Sequence, residues 1–161
     1  MKSKQAEEFI SKIDNAIKDI ESFNNISDLE KSYLAKFLVV FICGIYEEII
    51  ENIINERINA YQHNEVSKYI KNSLRFFRNP NIKNIKELLG NFDDDWKLQI
   101  DNLPTKAQTF IDNIVDNKNA LAHGIEVTTT LEDIKTYYIG SKEVIEKIDA
   151  MLLIGQLDGK K

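Results

Sequence analysis

The longest apolar run in the chain is Phe37-Leu38-Val39-Val40-Phe41-Ile42-Cys43-Gly44-Ile45-Tyr46. It covers about half of the roughly 20 residues that a membrane-crossing helix needs, and the charged Lys36 and Glu47 flank it. Apolar residues at helical spacing continue on both sides, and Ser27 with Glu30 forms the Ser-x-x-Glu pattern of a helix capping box. This segment therefore predicts a central, buried helix that begins after Ser27 and extends toward Tyr61.

Helical patterns also extend over the rest of the chain. Apolar residues recur at helical spacing over 9–20, over 105–122 and in a last long helix near the C-terminal end. Shorter helices are predicted over 67–77 and 82–89, with a further helical turn inside 91–102. The chain has only two prolines and six glycines, which leaves few of the turns that an all-β fold requires. We expect an all-α helical bundle of four to five main helices plus short helical turns.

Local signals mark several helix ends. The segment Asn79-Pro80-Asn81 closes the third predicted helix, because proline disfavours helix in the residue before it. Gly124 suits the left-handed residue that ends the helix over 105–122. Thr129 and Glu132 form a second capping-box pattern ahead of the last helix. Gly140 lies inside that helix and predicts either a kink or a close contact with another helix.

Length and composition indicate one domain. The 161 residues contain no internal repeat or linker, so we expect a single domain over 1–161, ordered over about 5–156. The only cysteine, Cys43, cannot form an internal disulfide, and the N-terminus has no apolar signal region, so a cytoplasmic location is expected. The net charge of −5 gives no general attraction to RNA or membranes. RNA binding would need a local basic patch.

His123 is the side chain best suited to acid–base chemistry. One cysteine and two histidines do not supply a standard zinc site, and no glycine-rich phosphate loop occurs, so we predict no metal and no cofactor. An imidazole can exchange a proton near neutral pH. However, a histidine at a helix C-terminus is also favoured by the helix dipole alone, so a purely structural role stays open. The other histidine, His63, is expected to be a surface residue.

The third predicted helix carries four cations at spacings of three, four and three residues, Lys68, Lys71, Arg75 and Arg78. This spacing places them on one helix face. RNA phosphates could bind along such a face, which has the aromatic residues Tyr69, Phe76 and Phe77 interleaved. The alternative is a solvated helix face whose aromatic residues lie in the core.

The residues around His123 resemble a known motif. The segment Asp116-Asn117-Lys118-Asn119-Ala120-Leu121-Ala122-His123-Gly124 is similar to the Arg-Asn-x-x-Ala-His-Gly motif of HEPN domains. When the two are aligned on Ala-His-Gly, the family arginine falls on Lys118 and the polar residue after it falls on Asn119.

The resemblance extends over most of the chain. The apolar run that ends in Glu47 and Glu48 is similar to a helix of RiboL-PSP-type HEPN proteins. The segment Arg78-Asn79-Pro80-Asn81 before a short helix, and the capped last helix after the His-Gly pair, also look like that group. The sequence therefore resembles the HEPN superfamily at three ordered landmarks as well as at the motif.

The resemblance implies a metal-independent endoribonuclease of toxin–antitoxin, antiviral or RNA-processing systems. Its active site would form where two HEPN domains pair, so the implied partners are RNA, a second copy of the chain and an antitoxin or other protein. In this chain the implied catalytic residues are His123, Lys118 and Asn119, with Gly124, Glu47 and Glu48 in supporting positions. RNA cleavage by its own 2′-hydroxyl needs a group that transfers a proton and a cation beside the phosphate.

Lysine at position 118 leaves other functions open. A guanidinium binds phosphate through a planar, bidentate fork, whereas an ammonium is a point charge. Asn119 and His123 are four residues apart and share a helix face, while Lys118 must reach around the helix. The alternative is a non-catalytic HEPN module that dimerises or binds a partner. A third hypothesis is a helical antitoxin or adaptor that binds a protein and no RNA.

Overall fold

The computed structural model describes residues 1–60 and 64–153. Within these ranges the chain forms no strand and seven helices, namely α1 (Lys4–Ser22), α2 (Asp28–Asn59), α3 (Asn64–Leu74), α4 (Ile82–Gly90), α5 (Asp94–Asp101), α6 (Thr105–Ala122) and α7 (Leu131–Leu152). The predicted all-α bundle is confirmed, with four long helices and three short ones. Tyr61, His63 and the predicted end of order near residue 156 lie outside the described residues.

α2 is the centre of the bundle because apolar side chains occur around most of its circumference. Twelve of its residues are buried, from Ala35 near the start to Ile58 near the end. The predicted capping box is present: the Ser27 side chain accepts from the Glu30 backbone N–H, and the Glu30 carboxylate accepts from Ser27. α1, α6 and α7 all pack against α2. No described helix combines the length and the apolar character that a bilayer crossing requires.

The first residues of the chain are fixed to the end of the bundle. Asp149 of α7 is buried, and its two carboxylate oxygens accept from the backbone N–H groups of Lys2 and Ser3. Ser3 in turn caps α1 by accepting from the Ala6 N–H at 3.1 Å, and its hydroxyl donates to Glu56 of α2. These hydrogen bonds allow a carboxylate to be buried without a large desolvation cost.

α6 and α7 approach each other closely at Gly140. A Cβ atom at this position would overlap the ring of Phe110 of α6, so a larger residue would force the ring or the helix to move. This confirms the predicted close helix contact. Beside it, the buried hydroxyl groups of Tyr46 and Ser141 are 2.8 Å apart and link α2 to α7.

The capping box of α7 differs from the predicted one by a single residue. Thr130 and Asp133 form it, and not Thr129 and Glu132. The hydroxyl of Thr129 instead donates to the side-chain oxygen of Asn117 on α6. A tertiary hydrogen bond therefore selects between two adjacent threonines.

The boundaries of α3 also differ from the prediction of 67–77. The helix starts at Asn64 and ends at Leu74. The next turn is tighter, because the backbone N–H groups of Phe76 and Phe77 donate three residues back, to Ser73 and Leu74. The residues after Leu74 therefore no longer follow the α-helix.

Candidate active site

The motif histidine lies at a well-defined helix end. Ile125 donates its N–H to the Ala120 carbonyl at 2.9 Å, and Gly124 donates to Leu121 at 3.1 Å. Together with a φ of +69° at Gly124, this is the Schellman arrangement that ends many helices. Gly124 thus has the predicted left-handed conformation. His123 is the residue just before it, and its side chain is exposed to solvent.

Lys118 contacts a turn that precedes α4. Its ammonium donates to the side-chain oxygen of Asn79 at 2.8 Å. Asn79 belongs to the segment Arg78-Asn79-Pro80-Asn81, which we call the 78–81 turn, and its φ of +55° is left-handed. Asparagine tolerates this conformation better than most residues with a side chain. Within 1–60 and 64–153, Asn79 is the one hydrogen-bond partner of the Lys118 side chain.

Glu47 holds the same turn from the side of α2. One of its oxygens accepts from the Asn79 backbone N–H at 2.9 Å, and the other lies 3.8 Å from Nε of Arg78. Only 17% of the Glu47 side chain is exposed, compared with 58% for Arg78. The guanidinium therefore extends into solvent from a largely buried carboxylate. Glu48 is exposed, so only Glu47 of the predicted acidic pair contacts the 78–81 turn.

Further hydrogen bonds fix the 78–81 turn to α4 and α6. The side-chain amide of Asn84 donates to the carbonyls of Asn79 at 2.8 Å and Arg78 at 3.3 Å. Asp112 of α6 accepts from the Ile82 N–H at 2.8 Å, at the start of α4. The turn is therefore bonded to α2, α4 and α6, and it connects Glu47 to Lys118.

Sequence reasoning did not identify Asn79, Asn84 or Asp112 as members of the site. From the sequence, the Asn-Pro-Asn segment is recognisable only as a helix end and a family landmark. The one available signal was its polar composition beside Arg78, because asparagine in a turn often bonds nearby backbone groups. The partners of these residues lie on other helices, which no local pattern reveals.

Two side chains near Glu47 and the 78–81 turn have raised pKa values. Burial raises the pKa of the Cys43 thiol to about 12; Glu47 raises it as well, whereas Lys118 lowers it. Burial also raises the pKa of the Asp112 carboxyl above its usual range, although the hydrogen bond from Ile82 acts against this. The thiol is thus protonated and lies near both charges. Across the described ranges, no three His, Cys, Asp or Glu side chains are placed to bind a metal ion.

The four predicted RNA-binding cations do not form one helix face. Lys68 and Lys71 lie on α3, Arg75 follows its last residue, and Arg78 is in the 78–81 turn. The prediction that Arg78 shares a helix face with the other three cations is wrong, because the α-helix ends at Leu74.

A cavity of about 750 Å³ lies between α3 and α4. It is lined by Tyr69, Phe76, Phe77 and Arg78, among others, but not by Lys68, Lys71 or Arg75. Phe76 is 85% exposed and Tyr69 74% exposed, so these two aromatic residues are not part of the core. The alternative of buried aromatic residues therefore holds only in part, for the half-buried Phe77.

The contacts of the residues before and after His123 show which part of α2 lies beside it. Five residues earlier, Lys118 contacts the turn that Glu47 holds. Shortly after it, the segment 126–130 lines the same cavity as Asp28. α6 therefore runs antiparallel to α2, and His123 lies beside the part of α2 between these two points.

That part of α2 has an exposed apolar stripe. Leu29, Tyr33, Phe37 and Val40 follow each other at spacings of four, four and three residues, and each is more than half exposed. The ring of Phe37 stacks on that of Phe41 at 5.4 Å. We call Leu29, Tyr33, Phe37 and Val40 the α2 stripe. In the part of the chain that the structure describes, the side chains of Asn119 and His123 have no hydrogen-bond partner.

Comparison with known proteins identifies a family. A family model described as RiboL-PSP-HEPN matches residues 3–153, a range that includes all seven described helices. No curated protein and no solved structure shows detectable similarity to the chain. The match extends well beyond the residues around His123, so it does not depend on the short motif alone.

Proposed function

Because this chain belongs to the RiboL-PSP-HEPN family, we propose that it is a metal-independent endoribonuclease whose active site contains Lys118, Asn119 and His123. One observation carries this proposal. Lys118, at the position of the family arginine, donates to Asn79 in a turn that the Glu47 carboxylate holds. The motif cation is thereby bonded to the residue that follows Arg78, whose guanidinium is exposed, and positive groups of this kind are what a phosphate-binding site requires.

The proposed reaction uses the 2′-hydroxyl of the RNA as nucleophile. Its oxygen bonds to the adjacent phosphorus while the bond from phosphorus to the 5′-oxygen breaks. His123 accepts the 2′-hydroxyl proton and a protonated imidazole supplies one to the leaving 5′-oxygen. Lys118 stabilises the charge that develops on the phosphate oxygens. The products are a 2′,3′-cyclic phosphate and a 5′-hydroxyl end.

A homodimer is part of the proposal. The α2 stripe is an exposed apolar surface at the level of His123, and such surfaces commonly bind another protein. A symmetric pair of chains would bring two copies of His123 to one interface. It would also supply the orienting partners that Asn119 and His123 lack within the described ranges.

An assay with purified protein tests the nuclease function. Labelled single-stranded RNA is incubated with the chain in EDTA, and the ends of the products are identified. We expect His123→Ala to reduce the cleavage rate by about 100-fold or more, the usual scale of proton-transfer catalysis. His63→Ala, which changes the other histidine, serves as the matched control and should cleave at the normal rate. Cleavage that persists in His123→Ala would refute the assignment.

The biological setting is also a proposal, drawn from the family. Enzymes of this kind act in toxin–antitoxin, antiviral or RNA-processing systems in the cytoplasm. A protein partner such as an antitoxin would then block the RNA site or the dimer interface. Copurification of a partner that suppresses RNA cleavage by the isolated chain would support this role.

A non-catalytic HEPN module is the second candidate. Lysine at position 118 favours it, because an ammonium provides no bidentate phosphate contact. Lys118→Arg discriminates between the two functions. If the chain is a weak nuclease, arginine should increase its cleavage rate, whereas a scaffold should show no cleavage with either residue. A chain that also fails to retain RNA at low salt would instead be a protein-binding adaptor.

A further inference from the structure

The phosphate-binding part of the proposed site lacks a guanidinium within the motif. Lysine occupies position 118, and its ammonium already uses one of three N–H donors on Asn79. The chain has only three arginines, at positions 57, 75 and 78. Arg57 lies over the ring of Trp96, and Arg75 follows the end of α3. Arg78 is the arginine that belongs to the cluster around Glu47 and Asn79.

We infer that Arg78 is the phosphate-binding guanidinium of this site and compensates, from a different element, for the arginine absent at position 118. Asn79 is its companion positioning residue, because it follows Arg78 in the chain and accepts a hydrogen bond from the Lys118 ammonium. The inference rests on the proposed RNA site and adds a residue to it from outside the motif.

The geometry of Arg78 suits a ligand-binding role better than a structural one. Its contact with Glu47 is long, at 3.8 Å from Nε, and more than half of the side chain is exposed. Its other bond joins Nη1 to the carbonyl of the preceding residue, Phe77, at 2.6 Å. A guanidinium has five N–H donors, so several remain for phosphate oxygens. Glu47 therefore orients the guanidinium and leaves most of its N–H donors available.

The 78–81 turn links Arg78 to Lys118. Arg78 and Asn79 are adjacent in sequence, and Asn79 contacts Lys118, which is 39 residues further along the chain. Three hydrogen bonds hold the Asn79 backbone: its N–H donates to Glu47 at 2.9 Å, and its carbonyl accepts from Asn84 at 2.8 Å and from the Asn81 N–H at 2.7 Å. The guanidinium and the ammonium are thus linked through the same turn, since Glu47 contacts Arg78 and Asn79, and Asn79 accepts from Lys118. One supplies a bidentate fork and the other a point charge.

Binding measurements separate this role from general electrostatic attraction. The affinity for a short fluorescent single-stranded RNA is measured in EDTA for the His123→Ala chain and for the same chain with Arg78→Gln or Arg78→Lys. Arg75→Gln and Arg75→Lys are the matched variants, because Arg75 is an arginine three residues away and outside the cluster. Circular dichroism checks that every variant is folded.

We expect Arg78→Gln to weaken RNA binding by about tenfold, the scale of one charged hydrogen-bonding group, and Arg78→Lys to restore little of it. Arg75→Gln should have a smaller effect that Arg75→Lys fully restores, because any positive charge suffices there. Equal losses for the two Gln variants, or full rescue by Arg78→Lys, would overturn the inference. So would a His123→Ala chain that binds no RNA.

The outcome is separable from that of the nuclease proposal. If RNA binding by the His123→Ala chain depends on Arg78 as expected but the unmodified chain does not cut RNA, the phosphate-binding role stands and the nuclease function is refuted. If it cuts RNA and the cutting is insensitive to Arg78→Gln, the nuclease function stands and Arg78 is not part of the site.

Discussion

Asn79 has the most interactions of any residue in the candidate site. Its side chain accepts from Lys118, its N–H donates to Glu47 and its carbonyl accepts from Asn84. Its left-handed φ of +55° points these groups toward three different helices. Few residue types combine tolerance of that conformation with a side-chain acceptor. One short polar residue thus joins α2, α4 and α6.

At Gly124 the backbone conformation, and not the surrounding space, favours glycine. A Cβ atom there would meet nothing within 4 Å, but its φ of +69° is strained for alanine. We expect Gly124→Ala to lower stability by about 1 kcal/mol, which thermal or urea unfolding would detect. Gly44→Ala is the matched control. It lies in α2 with nothing within 4 Å of the added Cβ, so it should raise stability by up to about 1 kcal/mol. A change of the same sign in both would contradict this explanation.

Cys43 provides a test of the electrostatics beside the site. With its pKa raised to about 12, only about one thiol in ten thousand is ionised at pH 8. Since the thiolate is the reactive form, the folded protein should react with a disulfide reagent far more slowly than the unfolded protein. The rate should increase with pH up to the pH of unfolding. Rapid labelling of the folded chain at pH 8 would show that the thiol is neither buried nor protonated.

At the scale of elements, α6 is the helix that the candidate site depends on most. It carries Lys118 and is capped by His123, and its position is set by contacts with α2 on one side and α7 on the other. The contact with α7 is tight at Gly140, where Phe110 occupies the space that a Cβ atom would need. A change in this contact should therefore move the site as well as destabilise the bundle.

The Gly140–Phe110 contact predicts a coupled pair of substitutions. Gly140→Ala should destabilise the fold by about 1–3 kcal/mol, because the new methyl group overlaps the half-buried ring of Phe110. Phe110→Leu should also destabilise it, but the double variant should lose less than the sum of the two. Urea unfolding of the four proteins gives the coupling energy. Strict additivity would mean that these two side chains do not determine the helix separation.

At the scale of the whole molecule, two groups of exposed apolar residues lie close together among the described residues. One is the α2 stripe at the level of His123, and the other is the cavity between α3 and α4, where Tyr69 and Phe76 are exposed. The stripe follows a regular helical spacing along the central helix, which suits self-association. The aromatic residues of the cavity lie beside Arg78, at the edge of the proposed RNA site.

The proposed homodimer can be tested by placing a charge in each of these two surfaces. Phe37→Glu puts a carboxylate in the α2 stripe and should shift the chain from dimer to monomer in sedimentation experiments. Phe76→Glu replaces an even more exposed aromatic residue and should leave the oligomeric state unchanged. If the two variants sediment alike, the α2 stripe is not the dimer interface.

The sequence by itself determined the features that depend on neighbouring residues. The all-α class, the bounds of α6, the capping box at Ser27 and the left-handed Gly124 all follow from interactions within one or two helical turns. The family resemblance was also readable, because landmarks in order along the chain need no coordinates.

Only the tertiary structure decided which distant residues meet. It separates Arg78 from the cations of α3, selects Glu47 over Glu48 and brings Asn79 to Lys118. It also assigns the α7 cap to Thr130, because Thr129 bonds α6. The physical reason is the same in each case. Local spacing sets the face of a helix on which a side chain lies, but the packing of helices against each other sets what that face meets.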